Sequence, residues 1–321
     1  MPLISICIPV YNHGDLIGAA IRSVLNQDVT DFELIIMDNH STDKTREVVE
    51  SFNDPRMRYF CNPENIGFSR NLQRGLEMAT GKFLLFLCAD DFLYEGYLKK
   101  TKGLFDEYPG LAFVHTGHDL VNTANQKGAS RIYPWEKILS AEIFLARLAE
   151  WDFTGICLSS VLFQREKLLK MGGVDTELEF AADYGMWLKL CAEGDVGYIP
   201  ESLVGYREHP GQCTKVFMPG LKYRLIEKFL ERAKKHQLSK EMQQMLFQKA
   251  VVTGFRELPH SRMKGVSMKS ILGSANQLFK SSAINFSIFV CFFYFMISML
   301  PVAVLKILYH LRRVSYENSA H

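Results

Sequence analysis

Three short apolar runs, Leu3–Val10, Phe32–Met37 and Lys82–Leu87, restrict the fold of this chain more than any other feature. Each has the length of a strand and carries apolar side chains toward both faces, as strands buried in parallel sheets do. Helix-period segments separate them. Asp15–Asn26 places Leu16, Ile17, Ala20, Ile21, Val24 and Leu25 on one face. Ser41-Thr42 offers an N-cap for a helix through Phe52. After a short strand, Met57–Phe60, a helix over Gly67–Ala79 is ended by Gly81. Repeated β-α-β units of this size predict an α/β fold with a doubly wound, mostly parallel sheet. Further on the pattern thins to a strand at Leu111–His115, helices at Ala141–Ala149 and Asp183–Glu193, and a polar helical stretch over Leu221–Gln248.

Open α/β sheets bind ligands at the carboxyl ends of their strands. The run Lys82–Leu87 is closed there by Asp90-Asp91. Two adjacent carboxylates suit a hard divalent cation, Mg2+ or Mn2+, of the kind that clamps a diphosphate. They equally suit a helix cap, for which Asp91 is placed. Neither a Gly-x-Gly-x-x-Gly turn nor a Gly-Lys-Ser/Thr loop occurs in the chain, so a bound nucleotide would be held by side chains and a metal.

Composition narrows the partners. A net charge of +2 over 321 residues gives no polybasic footprint, which argues against nucleic acid. The seven cysteines never form a Cys-x-x-Cys pair, a pattern of reduced thiols without a zinc site. The N-terminus reads as a buried strand rather than a signal peptide. From Ala283 to Leu305 there is no charged residue, about the length that crosses a bilayer. Lys280 precedes this stretch, Lys306, Arg312 and Arg313 follow it, and Pro301 can bend it into a re-entrant pair. The expected organisation is a catalytic α/β domain over 1–215, a helical extension over 216–282 and an apolar membrane-associated segment over 283–311. The expected location is the cytoplasmic face of the inner membrane.

Four motifs then occur in order: Ile8-Pro9-Val10-Tyr11-Asn12, Ile35-Ile36-Met37-Asp38-Asn39-His40-Ser41-Thr42-Asp43, Asn65-Ile66-Gly67-Phe68-Ser69-Arg70-Asn71, and Phe86-Leu87-Cys88-Ala89-Asp90-Asp91. In this order and spacing the chain resembles the family 2 glycosyltransferases of the GT-A fold, over roughly Leu3 to Thr214. The resemblance implies a nucleotide-diphosphate sugar, UDP-linked in the usual case, bound across the first half of the sheet. Asp38 matches the carboxylate that accepts the ring N–H of the base, though a turn residue would look the same. Pro9, Tyr11 and Asn12 match the loop lining the nucleoside. Arg70 matches a guanidinium facing base, ribose or phosphates, and equally reads as a solvated helix face. Asp90 matches the metal ligand, with Asp91 and His209 as further candidates. Two departures stand out: Cys88 replaces the first acid of the usual Asp-x-Asp-Asp, and Asn39-His40 replaces Asp-Gly.

The second half carries Glu179-Phe-Ala-Ala-Asp183-Tyr-Gly-Met-Trp-Leu188-Lys, similar to the family's Glu-Asp motif with Ala182 in the Glu position. Asp183 thereby matches the general base, while its place at a helix start also fits a cap. Tyr206-Arg207-Glu208-His209-Pro210-Gly211 matches the segment in which Arg and His approach the diphosphate or metal. Gly172-Gly173-Val174-Asp175 matches a scaffolding turn. The reading that follows is an inverting, metal-dependent glycosyltransferase. It would act on an acceptor hydroxyl of a glycan or polyprenyl-linked glycan in O-antigen, capsule or exopolysaccharide synthesis. A polyprenyl-phosphate sugar synthase, a non-catalytic nucleotide-sugar-binding module suggested by Cys88 and Ala182, and a nucleotidyltransferase remain as rivals.

Overall fold

The computed structural model describes residues 2–150 and 156–212. The elements run β1 (Ile4–Val10), α1 (Ile17–Leu25), β2 (Phe32–Asp38), α2 (Thr45–Glu50), β3 (Met57–Cys61), α3 (Phe68–Met78), β4 (Phe83–Phe86), β5 (Phe92–Leu93) and α4 (Tyr97–Glu107). The second half continues with β6 (Phe113–Val121), β7 (Lys127–Arg131), β8 (Ile138–Leu139), α5 (Ala141–Glu150), β9 (Val161–Gln164), α6 (Arg165–Lys170), α7 (Ala182–Leu190) and β10 (Val196–Arg207). The helical extension and the apolar segment expected over 216–282 and 283–311 lie outside the described residues, as does any membrane contact through them. Among the described residues no helix is long and apolar enough to cross a membrane.

All the strands join one sheet in the order β3-β2-β1-β4-β9-β6-β10-β5, with β7 on β6 and β8 on β10. β3, β2, β1 and β4 are mutually parallel, and β10 is parallel to β6. β9 runs antiparallel to both β4 and β6, so it joins two parallel halves whose carboxyl ends share one edge. That edge is where a ligand site belongs.

Side-chain alternation decides which helix covers which face. Ile4, Ile6, Ile8 and Val10 of β1, with Leu34 and Ile36 of β2, pack with Ile17, Ala20, Ile21 and Val24 of α1 and with Tyr97, Leu98 and Phe105 of α4. Those α1 positions follow the i, i+3, i+4, i+7 spacing of one helix face. The opposite face carries α3, which sits so close that a Cβ on Gly75 would lie 2.2 Å from Met37 Sδ. Glycine there lets the helix backbone approach the sheet, and Gly75 O accepts a hydrogen bond from Cys7 Sγ at 3.5 Å.

Two local expectations are corrected. Ser41 and Thr42 do not cap α2, which begins at Thr45. The Asp43 carboxylate accepts the Thr45 N–H at 2.9 Å instead, leaving Ser41 and Thr42 to bond the neighbouring loop. Asp91 does not cap a helix either. The next helix, α4, starts at Tyr97 behind Gly96, after the short strand β5.

Candidate active site at the carboxyl edge of the sheet

The β1 and β2 ends are clipped together through Asn12. Its backbone takes the left-handed conformation, φ 56°, which Asn tolerates better than most residues. Asn12 N–H donates to Ser41 Oγ at 2.9 Å, and Asn12 Oδ1 accepts the Thr42 N–H at 2.8 Å. Gly14 N–H donates to Asp43 Oδ2 at 2.9 Å, and a Cβ on Gly14 would lie 2.6 Å from Lys44 Cγ. Only glycine allows the loops to meet so closely. Pro9 is buried within β1, where its backbone faces β4 just past that strand's end and no ladder donor is lost. Tyr11 is 45% exposed at the rim.

Asp38, the last residue of β2, is 1% exposed. Its Oδ1 accepts the Ser41 N–H at 2.8 Å and its Oδ2 the Tyr59 hydroxyl at 2.6 Å. Each carboxylate oxygen keeps a second acceptor position, so this anchoring fixes the carboxylate without exhausting it. His40 takes φ 69°, which explains why Gly is usual there; here a bulkier residue bears the strain. Asn39 organises the next loop: it accepts the Ile66 N–H at 3.0 Å and the Asn62 amide at 2.9 Å and donates to Asn65 Oδ1 at 2.7 Å. Arg74 holds Asn62 Oδ1 at 2.6 Å, while Arg70, one turn earlier, is exposed at the start of α3.

The two adjacent carboxylates have different surroundings. Asp91 is 1% exposed, accepting the Ser159 hydroxyl at 2.6 Å and the Arg207 N–H at 3.0 Å. Burial, then the neighbouring Asp90 charge, pushes its carboxyl well above the usual range. Among the described residues the Asp90 carboxylate makes one hydrogen bond, between Oδ2 and His209 Nε2 at 3.0 Å. Arg207, buried at the end of β10, donates Nε–H to the Asp90 carbonyl at 2.7 Å. It thereby fixes the turn that carries both acids. Two shifts of register in β10, around Ser202, aim its end at this turn.

His13, from the loop after β1, completes the cluster. Its ligand atoms and those of Asp90 and His209 lie within 4.8 Å of one another, and its ring meets His209 edge-to-face at 5.5 Å. Burial holds the His13 pKa below the ordinary imidazole value, against the pull of Asp90, so the ring is neutral near pH 7. Cys88, Asp90 and Asp91 form a second grouping within the same distance. There both oxygens of Asp91 are already engaged, and burial raises the Cys88 thiol well above its usual value. The residues that fit a divalent cation are therefore His13, Asp90 and His209. Sequence reasoning passed over His13 because it belongs to no motif. The available signal was its place just past a strand end on the same edge as Asp90.

Asp183 lies in the first turn of α7 rather than at its cap, which is Ala181. Its Oδ1 accepts the Tyr184 N–H at 2.9 Å. Burial pushes the carboxyl up to about 7. The turn before α7 is docked on α3: Val174 N–H donates to Gln73 Oε1 at 2.8 Å and Ser69 Oγ–H to the Thr176 carbonyl at 3.0 Å.

The model of Glycosyl transferase family 2 matches residues 5–172, just over half of the chain. The chain belongs to that family. Its described residues have the GT-A fold. Among relatives, the putative teichuronic acid biosynthesis glycosyltransferase TuaG of Bacillus subtilis is 31% identical over 64% of this chain and 79% of its own length. The GalNAc(5)-diNAcBac-PP-undecaprenol beta-1,3-glucosyltransferase of Campylobacter jejuni is 40% identical over 30% of this chain and 33% of its own. The alignments span no more than 66% of the length of several curated relatives. S. aureus TarS 1-349, solved in complex with UDP-GlcNAc, superposes with a TM-score of 0.68 at 16% identity, covering 87% of this chain and 81% of that one.

Proposed function

We propose that this glycosyltransferase is inverting and metal-dependent, moving a sugar from a UDP-linked donor to an acceptor hydroxyl. The observation that carries this reading is Asp183, a carboxyl that burial has pushed up to about 7 and that has no ion-pair partner among the described residues. A base with that pKa is half ionised at neutral pH, which suits proton abstraction from a hydroxyl. One base and one displacement give inversion at the anomeric carbon.

The donor side follows from the opposite half of the sheet. Asp38, oriented by Ser41 and Tyr59, would accept the ring N–H of the base; Tyr11 and Asn12 would line the nucleoside, over the turn that Pro9 shapes. Arg70 is free at the rim to meet phosphate or ribose oxygens. Asp90 and His209 would hold Mn2+ or Mg2+, which when bound supplies Lewis-acid neutralisation of the departing diphosphate. The names of the relatives from B. subtilis and C. jejuni favour an acceptor in cell-surface polysaccharide synthesis, either a glycan or a polyprenyl-linked glycan. The uncharged run Ala283–Leu305 supports attachment to the cytoplasmic face of the membrane.

The test is Asp183→Asn. Transfer should fall by about 10²–10⁴-fold while UDP-sugar binding persists. Unchanged turnover would remove Asp183 as the base. Membrane attachment is checked by fractionating the full chain, and recovery wholly in the soluble fraction contradicts it.

A further inference from the structure

We infer that His13 is a third protein ligand. With Asp90 and His209 it would make a nitrogen-rich site that takes up Mn2+ or Co2+ before any nucleotide arrives and discriminates against Mg2+. The inference rests on the metal-dependent reading above and goes beyond it in naming the ligand set and its selectivity.

Three observations carry it. The first is spacing. His209 Nε2 and Asp90 Oδ2 stand 3.0 Å apart, and two neighbouring ligands each about 2.1 Å from a shared six-coordinate ion are about 3 Å apart. One ring nitrogen of His13 lies within 4.8 Å of a ligand atom of each.

The second is that His13 has nothing else to do. Among the described residues its ring makes no hydrogen bond. Its only ring contact is the edge of His209. Its backbone, by contrast, is firmly used: the His13 carbonyl accepts the N–H groups of Leu16 and Ile17 at 3.0 and 2.9 Å.

The third is that each ligand is delivered by a braced backbone. Asn12 and Gly14, on either side of His13, are tied to Ser41 and Asp43. The Asp90 carbonyl is held by Arg207, and the His209 carbonyl by the Gln212 N–H at 3.2 Å. Three separated segments thus present three donors with little freedom left to lose on binding, which favours uptake of the ion by the protein alone.

The chemistry of the donors sets the preference. Mg2+ favours oxygen ligands and retains its waters, whereas imidazole suits later first-row ions. Two imidazoles and one carboxylate place Co2+ above Mn2+ and both above Mg2+. Asp90 and His209 by themselves would leave most of the shell to the donor diphosphate; His13 makes a three-ligand face with the remaining positions open to diphosphate oxygens.

The experiment is titration of the metal-free, full-length protein with Mn2+, Co2+ and Mg2+ in the absence of nucleotide. Calorimetry follows all three ions, electron paramagnetic resonance follows free Mn2+, and visible absorption follows Co2+. One Mn2+ should bind per chain with at least about tenfold preference over Mg2+, and bound Co2+ should show ligand-field bands. His13→Gln should weaken Mn2+ binding at least about tenfold, alter the Co2+ bands and leave the metal-free melting temperature unchanged. Equal Mn2+ affinity in wild type and His13→Gln overturns the inference, as does equal affinity for Mg2+ and Mn2+. Mn2+ binding that appears only with UDP present, alike in both proteins, also overturns it but leaves the donor reading standing. Nucleotide-free binding that His13→Gln weakens, in a protein that binds no UDP-sugar, supports the site and removes the donor reading instead.

Discussion

At the amino edge of the sheet, Glu33 accepts hydrogen bonds from Ser5 Oγ at 2.6 Å and from both the N–H and the hydroxyl of Thr80 at 2.7 Å, and it pairs with Arg58. At the carboxyl edge, the Asp90 carboxylate bonds His209 through Oδ2, and its Oδ1 has no hydrogen-bond partner among the described residues. Both acids sit beside the same strands and both are largely buried. At Glu33 burial works to raise the pKa, but the hydrogen bonds and Arg58 outweigh it and the value falls. The amino-edge carboxylate is saturated by its own chain and ties β1, β2 and the turn before β4 together. The carboxyl-edge acid keeps an open acceptor position among the described residues. Satisfaction by hydrogen bonds thus separates these two carboxylates more sharply than burial does.

The largest test of this contrast is Asp90→Ala. Transfer should drop by about 10²–10³-fold, with the unfolding midpoint of the ligand-free protein near wild type. A large loss of stability would place Asp90 with Glu33. Next is acidity: because burial raises Asp183 to about 7 and the base must be ionised, kcat should rise roughly tenfold per pH unit up to pH 7 and level off above it. A flat profile between pH 5.5 and 8 breaks the assignment. Asp91→Ala should behave unlike its neighbour, costing about 2–4 kcal/mol in denaturant unfolding, because the Ser159 hydroxyl and the Arg207 N–H lose their acceptor. The smallest effect is expected from Glu33→Gln, about 1 kcal/mol at pH 7 with UDP-sugar affinity unchanged. Its sign with pH is fixed by the lowered pKa. The stabilisation is full above the ordinary glutamate range and is lost as pH falls through the folded-state value, so the variant's stability should depend less on acid.

The parts of the fold legible in the sequence were those with a strong period. β1, β2 and β4 are short runs buried on both faces, and α1 and α3 show one apolar stripe each, so their existence follows from pattern alone. β7 could not be read, because Lys127–Arg131 is exposed throughout and carries no alternation. β6 extends to Val121 through Thr116, His118 and Asp119, polar residues that a periodicity argument takes as a strand's end although the fold buries them. β5 and β8, at two residues each, exist only because β10 is there to pair with them. Asp38, Asp90 and Asp183 are picked out in the sequence by ordered motifs. The bond from Arg207 to the Asp90 carbonyl was not legible, because only the fold brings residues 117 positions apart together. His13 belongs to no motif, and its position just past the end of β1 gains meaning only from the loops that meet it in space.

The bond between Arg207 and the Asp90 turn has a consequence for the birth of the enzyme. The loops bearing His13, Asp38 and Asp90 leave the ribosome early, and the strands that hold them are adjacent in the sheet. His209 follows Asp90 by 119 residues. At about 5–20 residues per second that interval is on the order of ten seconds. Until β10 is made and threaded between β6 and β5, the acidic turn lacks both its guanidinium brace and its imidazole partner. The nascent chain therefore carries a half-built cluster that is completed only when the last of the described strands docks, which makes its assembly a late event of synthesis rather than a gradual one.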